Sequence, residues 1–402
     1  MKSRLVCCDI SMIARIYVLL LVVIIVPEIY FHVRRHHRKG GYPLWKSSLA
    51  WLVCLLMVGY TTYLAMDSDF IPINPKWVNR YLFIFFIYSV PRFIVALCMA
   101  SGQGFGYPRK RRSLRSKKVG MIISLLIIYV FLYGVTVGVR KLVVKRVDVT
   151  VENLPPAFDG YRIVHLSDIH AGSISTSLLE EAVDTVNLLN GDVIAFTGDI
   201  QNVSSEEIMP IGKLLASMKA HDGVFSVLGN HDYSSLHLHS KTTEEVKADE
   251  QRTIDIQRSF GWNLLLNEHK MIMRRADTIY IAGTEDGGRH NRHQESDMRK
   301  ATEGIPDGAF SIMLQHTPDS WANHILPETT AELTLSGHTH GGQLSLFGLR
   351  ALKIVGKKDS GLYCQDGRYL YVTSGLGGLV PFRFGIPPEI VVITLHSSST
   401  GK

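Results

Sequence analysis

Residues 119–139 form a run of 21 positions with no charged side chain, and Ser47–Met66 is equally free of charge. A bilayer hydrocarbon core of about 30 Å takes about 20 helical residues, so each stretch is long enough to cross one. Two further stretches are less pure. Ile16–Val33 is unbroken apolar to Val26 and then carries Pro27 and Glu28, and Tyr81–Ala100 is interrupted only by Arg92. Inside lipid every backbone N–H and C=O must be satisfied within the protein, which restricts such runs to helices. The first run is not read as a cleaved leader, because Pro27-Glu28-Ile29-Tyr30 follows it in place of a small-x-small site. The expectation is a bundle of about four transmembrane helices over residues 1–145.

Charge divides the chain at the same place. Residues 1–150 hold 22 Lys+Arg and 5 Asp+Glu, whereas 151–402 hold 21 and 31; 14 of the 17 His lie in the second part. The basic residues of the first part sit between apolar runs, so the overall charge of +7 does not read as nucleic-acid binding. They read instead as topology signals. Arg34, Arg35, Arg38 and Lys39 follow the first run, and Arg109, Lys110, Arg111, Arg112, Arg115, Lys117 and Lys118 follow the third. Those two loops are expected in the cytoplasm, which puts everything after the fourth run on the extracytoplasmic side. Arg140, Lys141, Lys145 and Arg146 weigh the other way.

After Pro155-Pro156 the chain adopts a rhythm of short apolar runs, each closing in Asp, His, Asn or Gly. They are Tyr161–His170, Asp192–Asp199, Gly223–Asp232, Ile279–Glu285, Ser311–His316, Glu332–Gly342 and Tyr369–Gly375. Such runs suit buried strands. Lys145–Glu152 alternates Val with polar residues and reads as another strand. Leu178–Leu189 and Glu206–Lys219 have apolar residues at helical period, while 233–247 and 287–303 read as surface loops. The fold class is α/β, with polar residues gathered at the carboxyl ends of the strands.

The clusters carry metal-binding atoms. Asp168 and His170, two apart on a segment read as extended, offer a carboxylate and an imidazole to one ion. Asp199 has two oxygens and can bridge two ions. Asn230 adds a carbonyl oxygen and His316 an imidazole, and His338 and His340 repeat the two-apart spacing among glycines that allow close backbone approach. This mixed O and N set suits divalent Mn, Fe or Zn better than Mg or Ca. Cys is missing from it, so a structural zinc site is not expected. Cys364 is alone after residue 100, which leaves 146–402 no internal disulfide. His165, His221, His269, His290, His293 and His324 fit no cluster and read as structural or surface residues.

Asp168-Ile-His170, Gly198-Asp199, Gly229-Asn-His-Asp232, the lone His316 and Gly337-His-Thr-His340, in that order, resemble the calcineurin-like metallophosphoesterases. The resemblance covers about residues 160–395, and Gly377–Ile390 is similar to the end of a bacterial membrane-associated branch of the family. It implies a layered α/β/β/α metallophosphoesterase sandwich over 146–402. It implies that Asp168, His170 and His340 hold one divalent cation, that Asn230, His316 and His338 hold the other, and that Asp199 bridges them. Two such ions, about 3.5–4 Å apart, clamp the phosphoryl oxygens and acidify the attacking water. His231 resembles the family's general acid, which protonates the leaving oxygen. In the protein phosphatases of this superfamily an Asp three residues after the bridging Asp orients that His; here the position is Asn202. An amide cannot stabilise imidazolium by charge, which weakens a phosphoprotein phosphatase reading and leaves diesters or small monoesters. Asn202 and Arg383 are candidate substrate contacts. Asn202 opens the sequon Asn202-Val203-Ser204 but is expected buried against His231 and unmodified.

Three functions compete: a membrane-anchored two-metal hydrolase of phosphoesters, a scaffold of the same fold without turnover, and a carrier or channel in the spans, where Glu28 and Arg92 are the intramembrane charges. The complete donor set favours the hydrolase. Anchoring points to a lipid or glycolipid headgroup as substrate, by proximity.

Overall fold

The computed structural model describes residues 11–36, 44–69, 76–101, 109–234, 237–238, 240–286 and 296–398. Cys7, Cys8, Arg38, Lys39, His290 and His293 lie outside them. The chain forms two compact units, Met1–Tyr133 and Gly134–Lys402.

The first unit is helical. Its four candidate spans are Tyr17–Arg34, Ser47–Ala65, Lys76–Ser101 and Leu114–Arg140, the last running on into the second unit. Pro27 sits within the helix Tyr17–His36. The third span contains a π-helical stretch, Phe85–Ser89, directly before Val90-Pro91. Proline has no N–H and its ring crowds the preceding turn, which is where a helix takes up an extra residue. Leu20, Ile24, Cys54, Met57, Leu64, Tyr81 and Phe85 make a small core between the helices. Glu28 and Arg92 pair within it: Arg92 Nε and Nη2 donate to Glu28 Oε1 and Oε2 at 2.5 and 2.7 Å, and Arg92 lies over the Phe31 and Tyr88 rings. Neither charge faces lipid alone.

The second unit has two six-stranded sheets and a hairpin. Its strands are β1 (Val143–Val151), β2 (Arg162–Leu166), β3 (Val193–Phe196), β4 (Val224–Ser226), β5 (Asn263–Leu264), β6 (Glu268–Arg274), β7 (Asp277–Gly283), β8 (Ser311–Leu314), β9 (Leu333–Ser336), β10 (Ser345–Leu346), β11 (Leu349–Arg350), β12 (Gly361–Gln365), β13 (Arg368–Val372) and β14 (Glu389–Ser397). One sheet runs β1-β14-β2-β3-β4-β5 and the other β12-β13-β9-β8-β7-β6. Within the first, β2, β3, β4 and β5 are parallel neighbours, and in the second so are β13, β9, β8 and β7.

The period of two along each strand sorts its residues between layers. Ile163, Val193, Ala195 and Phe225 point inward and meet Ile281, Ile312, Leu314, Leu333 and Leu335 of the facing sheet. Val164, Leu166, Ile194 and Phe196 point outward and pack on Leu179, Ala182 and Val183 of the helix Thr176–Leu189. On the far side Met313, Leu370 and Val372 meet Met298, Trp321 and Ile325. The result is the four-layer α/β/β/α sandwich, as expected.

Three expectations about elements fail; the first is the surface loop read over 287–303, whose end holds the helix Met298–Thr302 with Met298 and Ala301 buried. The segment Glu206–Lys219 is not one helix but a 3₁₀ turn, Ser205–Glu207, and a single α turn, Gly212–Leu215. Pro210 lies between them and removes the N–H a continuous helix would need there. The stretch read as loop up to Lys247 already contains the start of the helix Thr243–Ser259, opened by a capping box in which Thr242 Oγ1 accepts from Glu245 N and the Glu245 carboxylate from Thr242 N. Its buried face carries Asp249, Thr253 and Gln257, so it shows no apolar period.

Candidate metal centre

All seven predicted donors lie at the carboxyl ends of five strands. Asp168 follows β2, Asp199 follows β3, Asn230 follows β4, His316 follows β8, and His338 and His340 follow β9. Because β2, β3 and β4 belong to one sheet and β8 and β9 to the other, the centre straddles the sandwich edge.

The backbone there is not extended, which corrects the reading of alternate strand residues. Asp168, His170, Asp199, His338 and His340 all have positive φ, between 50° and 69°. That left-handed region is sparsely used by residues with a Cβ, and such strain persists at sites that the surrounding fold over-determines. Two glycines make the approach possible. A Cβ on Gly337 would lie 2.3 Å from Asp168 Oδ2, and one on Gly229 would lie 2.3 Å from Asp199 Oδ1.

Two groups of atoms share one oxygen. Around the first, His340 Nε2 lies 3.3 Å from His170 Nε2 and 3.6 Å from Asp168 Oδ1, and His170 Nε2 lies 3.6 Å from Asp199 Oδ2. Around the second, the same Asp199 Oδ2 is 3.1 Å from His316 Nε2; His338 Nδ1 is 3.3 Å from His316 Nε2 and 2.8 Å from Asn230 Oδ1. The ring nitrogens behind this face are engaged: His316 Nδ1 donates to Thr197 O at 2.6 Å and His170 Nδ1 to Asn202 Oδ1 at 2.9 Å. These bonds turn each Nε2 toward the cluster, the orientation that a metal-ligating imidazole requires.

The electrostatics divide the imidazoles. Burial lowers His170 to about 3, with His231 adding to it, and lowers His338 to about 4, with His316 adding to it. Burial also lowers His340, together with His170 and Arg383, so these three imidazoles are neutral donors. Burial opposes ionisation of Asp199, but His316, His231 and His170 outweigh it and hold the carboxyl well below its usual value. Burial opposes charge on His316, but Asp199, Asp168 and Asp286 outweigh it and raise this imidazole well above its ordinary value, so a cation bound at its Nε2 would replace a proton there; the N and O donors fit divalent transition metals.

His231 stands beside both groups, its ring centroid 4.8 Å from that of His170. Its backbone N donates to Asp199 Oδ1 at 2.8 Å, and its Nδ1 donates to Asn202 O at 2.7 Å. Asn202 is 1% exposed, buried as expected. Its side chain, however, serves His170 and Ser173, its Nδ2 donating to Ser173 Oγ at 2.7 Å. It holds His231 through its main-chain carbonyl. Arg383 is 2% exposed, with Nη2 donating to the carbonyls of Gly375 and Gly377 and Nη1 without a partner among the described residues. Burial lowers it to about 10, Asp168 and Glu389 opposing. It braces the loop against which Asp168 rests, since Gly377 N donates to Asp168 O.

Two residues were given no role from sequence. Asp232 accepts from the backbone N–H groups of Gly229, Asp199 and Ile200 at 2.8–2.9 Å, tying the β3 and β4 loops together. Its place in Gly229-Asn-His-Asp232 was the available signal. His237 stacks on His231 at 4.4 Å and 9°; nothing local in the sequence marks it. His165 is buried against Thr197, His221 and His324 pair with Asp222 and Glu328, and His269 bonds Ala301 O, in keeping with structural or surface roles.

Residues 161–342 match the family described as calcineurin-like phosphoesterase, and residues 14–139 match a probable calcineurin-like phosphoesterase transmembrane domain. The chain is 30% identical over 295 residues to the transmembrane protein with metallophosphoesterase domain of Danio rerio, covering 71% of this chain and 64% of that one, just under two thirds. It is 31% identical to the uncharacterized metallophosphoesterase YkuE of Bacillus subtilis, over 61% of this chain and 82% of the relative. It is 28% identical to the UDP-2,3-diacylglucosamine pyrophosphatase LpxG of Chlamydia trachomatis, over 60% and 86%. The chain therefore belongs to the calcineurin-like metallophosphoesterases, in a form that joins the catalytic fold to a four-helix transmembrane domain.

Proposed function

We propose that this chain is a membrane-anchored hydrolase that cleaves phosphomono- or phosphodiester bonds with two divalent cations, its membrane region over 1–145 and its catalytic region over 146–402. The observation that carries the reading is the single oxygen, Asp199 Oδ2, shared by two clusters of buried donors. Asp168, His170 and His340 would hold one cation, Asn230, His316 and His338 the other, and Asp199 both. When bound, such a pair supplies Lewis-acid stabilisation of phosphoryl oxygens and a water acidified toward attack.

The remaining steps fall to the chain's own groups. With Nδ1 committed to Asn202 O, His231 has Nε2 to hold a proton and deliver it to the leaving oxygen, a contribution of typically about 10²–10⁴ in rate. Asp232 holds the loops of Asp199 and Asn230 in register. The chlamydial relatives are named for a diacylated nucleotide sugar, and this, with the apolar spans, favours a phosphoester carried on a lipid or glycolipid.

The test is a screen of the purified full chain, loaded with Mn²⁺, Fe²⁺ or Zn²⁺, against model mono- and diesters, beside Asp199→Asn. Turnover that is abolished by chelation and nearly lost in Asp199→Asn, with folding intact, supports the hydrolase. A metal-loaded protein that turns over no ester supports the scaffold without turnover.

A further inference from the structure

The hairpin formed by β10 and β11 and the helical turn Ala351–Ile354 that follows it expose apolar side chains that the fold does not use. Leu344, Leu346, Phe347, Leu349, Ile354 and Val355 all face outward, and Phe347 at the tip is fully exposed. The turn Phe347-Gly348 has positive φ at both residues, 52° and 81°, as a two-residue primed turn requires. Asn or Asp is the favoured first residue of such a turn. An aromatic residue there accepts left-handed strain and buries nothing in return. A contiguous exposed apolar patch of this kind marks a partner surface.

Its neighbours say which partner. Ser345 N donates to Phe384 O and Phe384 N to Gln343 O, at 2.7 and 2.9 Å. In the same segment Arg383 N donates to Gly134 O at 3.1 Å, and Gly134 lies inside the last candidate span, Leu114–Arg140. The contact is tight: a Cβ on Gly134 would lie 2.2 Å from the Phe382 ring, and one on Gly138 would lie 1.7 Å from Arg383 O. The hairpin is thus tied to residues 382–384, which pack on Gly134 and Gly138 within the second unit. Basic residues rim the patch. Lys353 is exposed on the helical turn Ala351–Ile354, Lys357 pairs with Asp319, and Lys358 lies 5.4 Å from the Trp321 ring centre.

We propose that the segment Leu344–Val355 is a second membrane contact, its apolar hairpin tip dipping into the headgroup and acyl boundary of the leaflet from which the last span emerges, with Lys353 among anionic headgroups. Interfacial elements of this composition insert about 5–10 Å, and nearby lysines add attraction to anionic lipid. Gln343 follows directly on the turn His340–Gly342, so the insertion holds one wall of the metal centre against the bilayer surface. The inference concerns membrane contact alone and stands apart from turnover.

The full chain is reconstituted in vesicles of phosphatidylcholine and phosphatidylglycerol, with its native cysteines replaced by serine and a nitroxide placed at Phe347→Cys or Leu346→Cys. Met273→Cys on β6, exposed in the fold, is the aqueous reference. Expected is an oxygen-to-nickel collision ratio several-fold higher at 346 and 347 than at 273. Equal ratios at the three sites would overturn the proposal. So would nickel protection at 347 accompanied by dipolar broadening that vanishes on dilution with unlabelled protein, which would show a second copy covering the patch. If the cysteine-free background fails to accumulate, quenching of Phe347→Trp by lipid brominated near the headgroup, measured against the parent chain, gives the same decision: added quenching supports insertion, and none refutes it.

Discussion

His231 is proposed as a proton donor, although with His170 and Asp199 it also forms a group whose ligand atoms lie within 4.8 Å of one another. Its backbone N touches Asp199 and its Nδ1 is tied to Asn202 O, yet it lies outside both donor groups as assigned. His231→Ala should keep both cations and lose turnover. The loss should be small for nitrophenyl esters and large for alkyl esters, because only a poor leaving group needs the proton. Equal losses for the two would make His231 structural. His165 gives a pH prediction away from the donors. Burial holds it at about 3 against an ordinary 6.5, so between those values the unfolded chain binds a proton that the folded chain does not. The stability this confers is complete above 6.5 and falls as pH drops toward 3, by about 1.4 kcal/mol per pH unit. His165→Gln keeps a donor toward Thr197 and should flatten that dependence by one proton, read from denaturant midpoints of metal-free protein at pH 7, 6, 5 and 4.

At the scale of elements, the membrane helices carry their own polar problem and its solution. Glu28 on the first span is buried against Arg92 on the third, a bidentate pair within the helical unit. Removing one partner strands the other charge and typically costs about 3–5 kcal/mol, whereas removing both is often nearly neutral. Glu28→Leu and Arg92→Leu should each lower the thermal midpoint in detergent, and the double variant should lose less than either single one. If the double variant loses the sum of both, the pair is not the reason these charges are tolerated. That mutual neutralisation also argues for an anchor over a carrier, whose charges must be free to meet a solute.

For the molecule as a whole the open quantity is its side of the membrane. Four spans and two basic loops predict an extracytoplasmic catalytic unit. The sequon at Asn202 would then meet the glycosylation machinery, but its side chain is enclosed between His170 and Ser173, where a glycan has no room. Protease added to intact cells should cleave a tag after residue 398 when the protein is at the plasma membrane, and glycosidase should leave its mobility unchanged. Protection of that tag would reverse the sidedness. A glycosidase shift lost in Asn202→Gln would keep the sidedness and show that Asn202 is exposed before folding closes over it.

Much of this protein was legible in order along the chain, because the relevant physics is local. Span length and the absence of charge identify a membrane helix without reference to any partner, and short apolar runs ending in Asp, His or Asn mark strands that deliver ligands to one edge. The helix Thr243–Ser259 escaped because its inward face carries Asp249, Thr253 and Gln257 beside Val246; Asp249 accepts from Ser205 and Ser234 and Thr253 donates to Gln201, all supplied by other segments. A polar face reads as solvated until the tertiary structure covers it. Asn202 was placed near His231 by motif position, but which of its atoms would do the holding depended on the approach of His170 and Ser173 from another strand end. The left-handed turns at five donors, and the single oxygen between two clusters, exist only because two sheets close on each other with glycines at the contact. Donor type and span length are properties of short stretches and can be read along the chain; which donor atoms meet is set by packing, since convergence between five strand ends is encoded by no single segment.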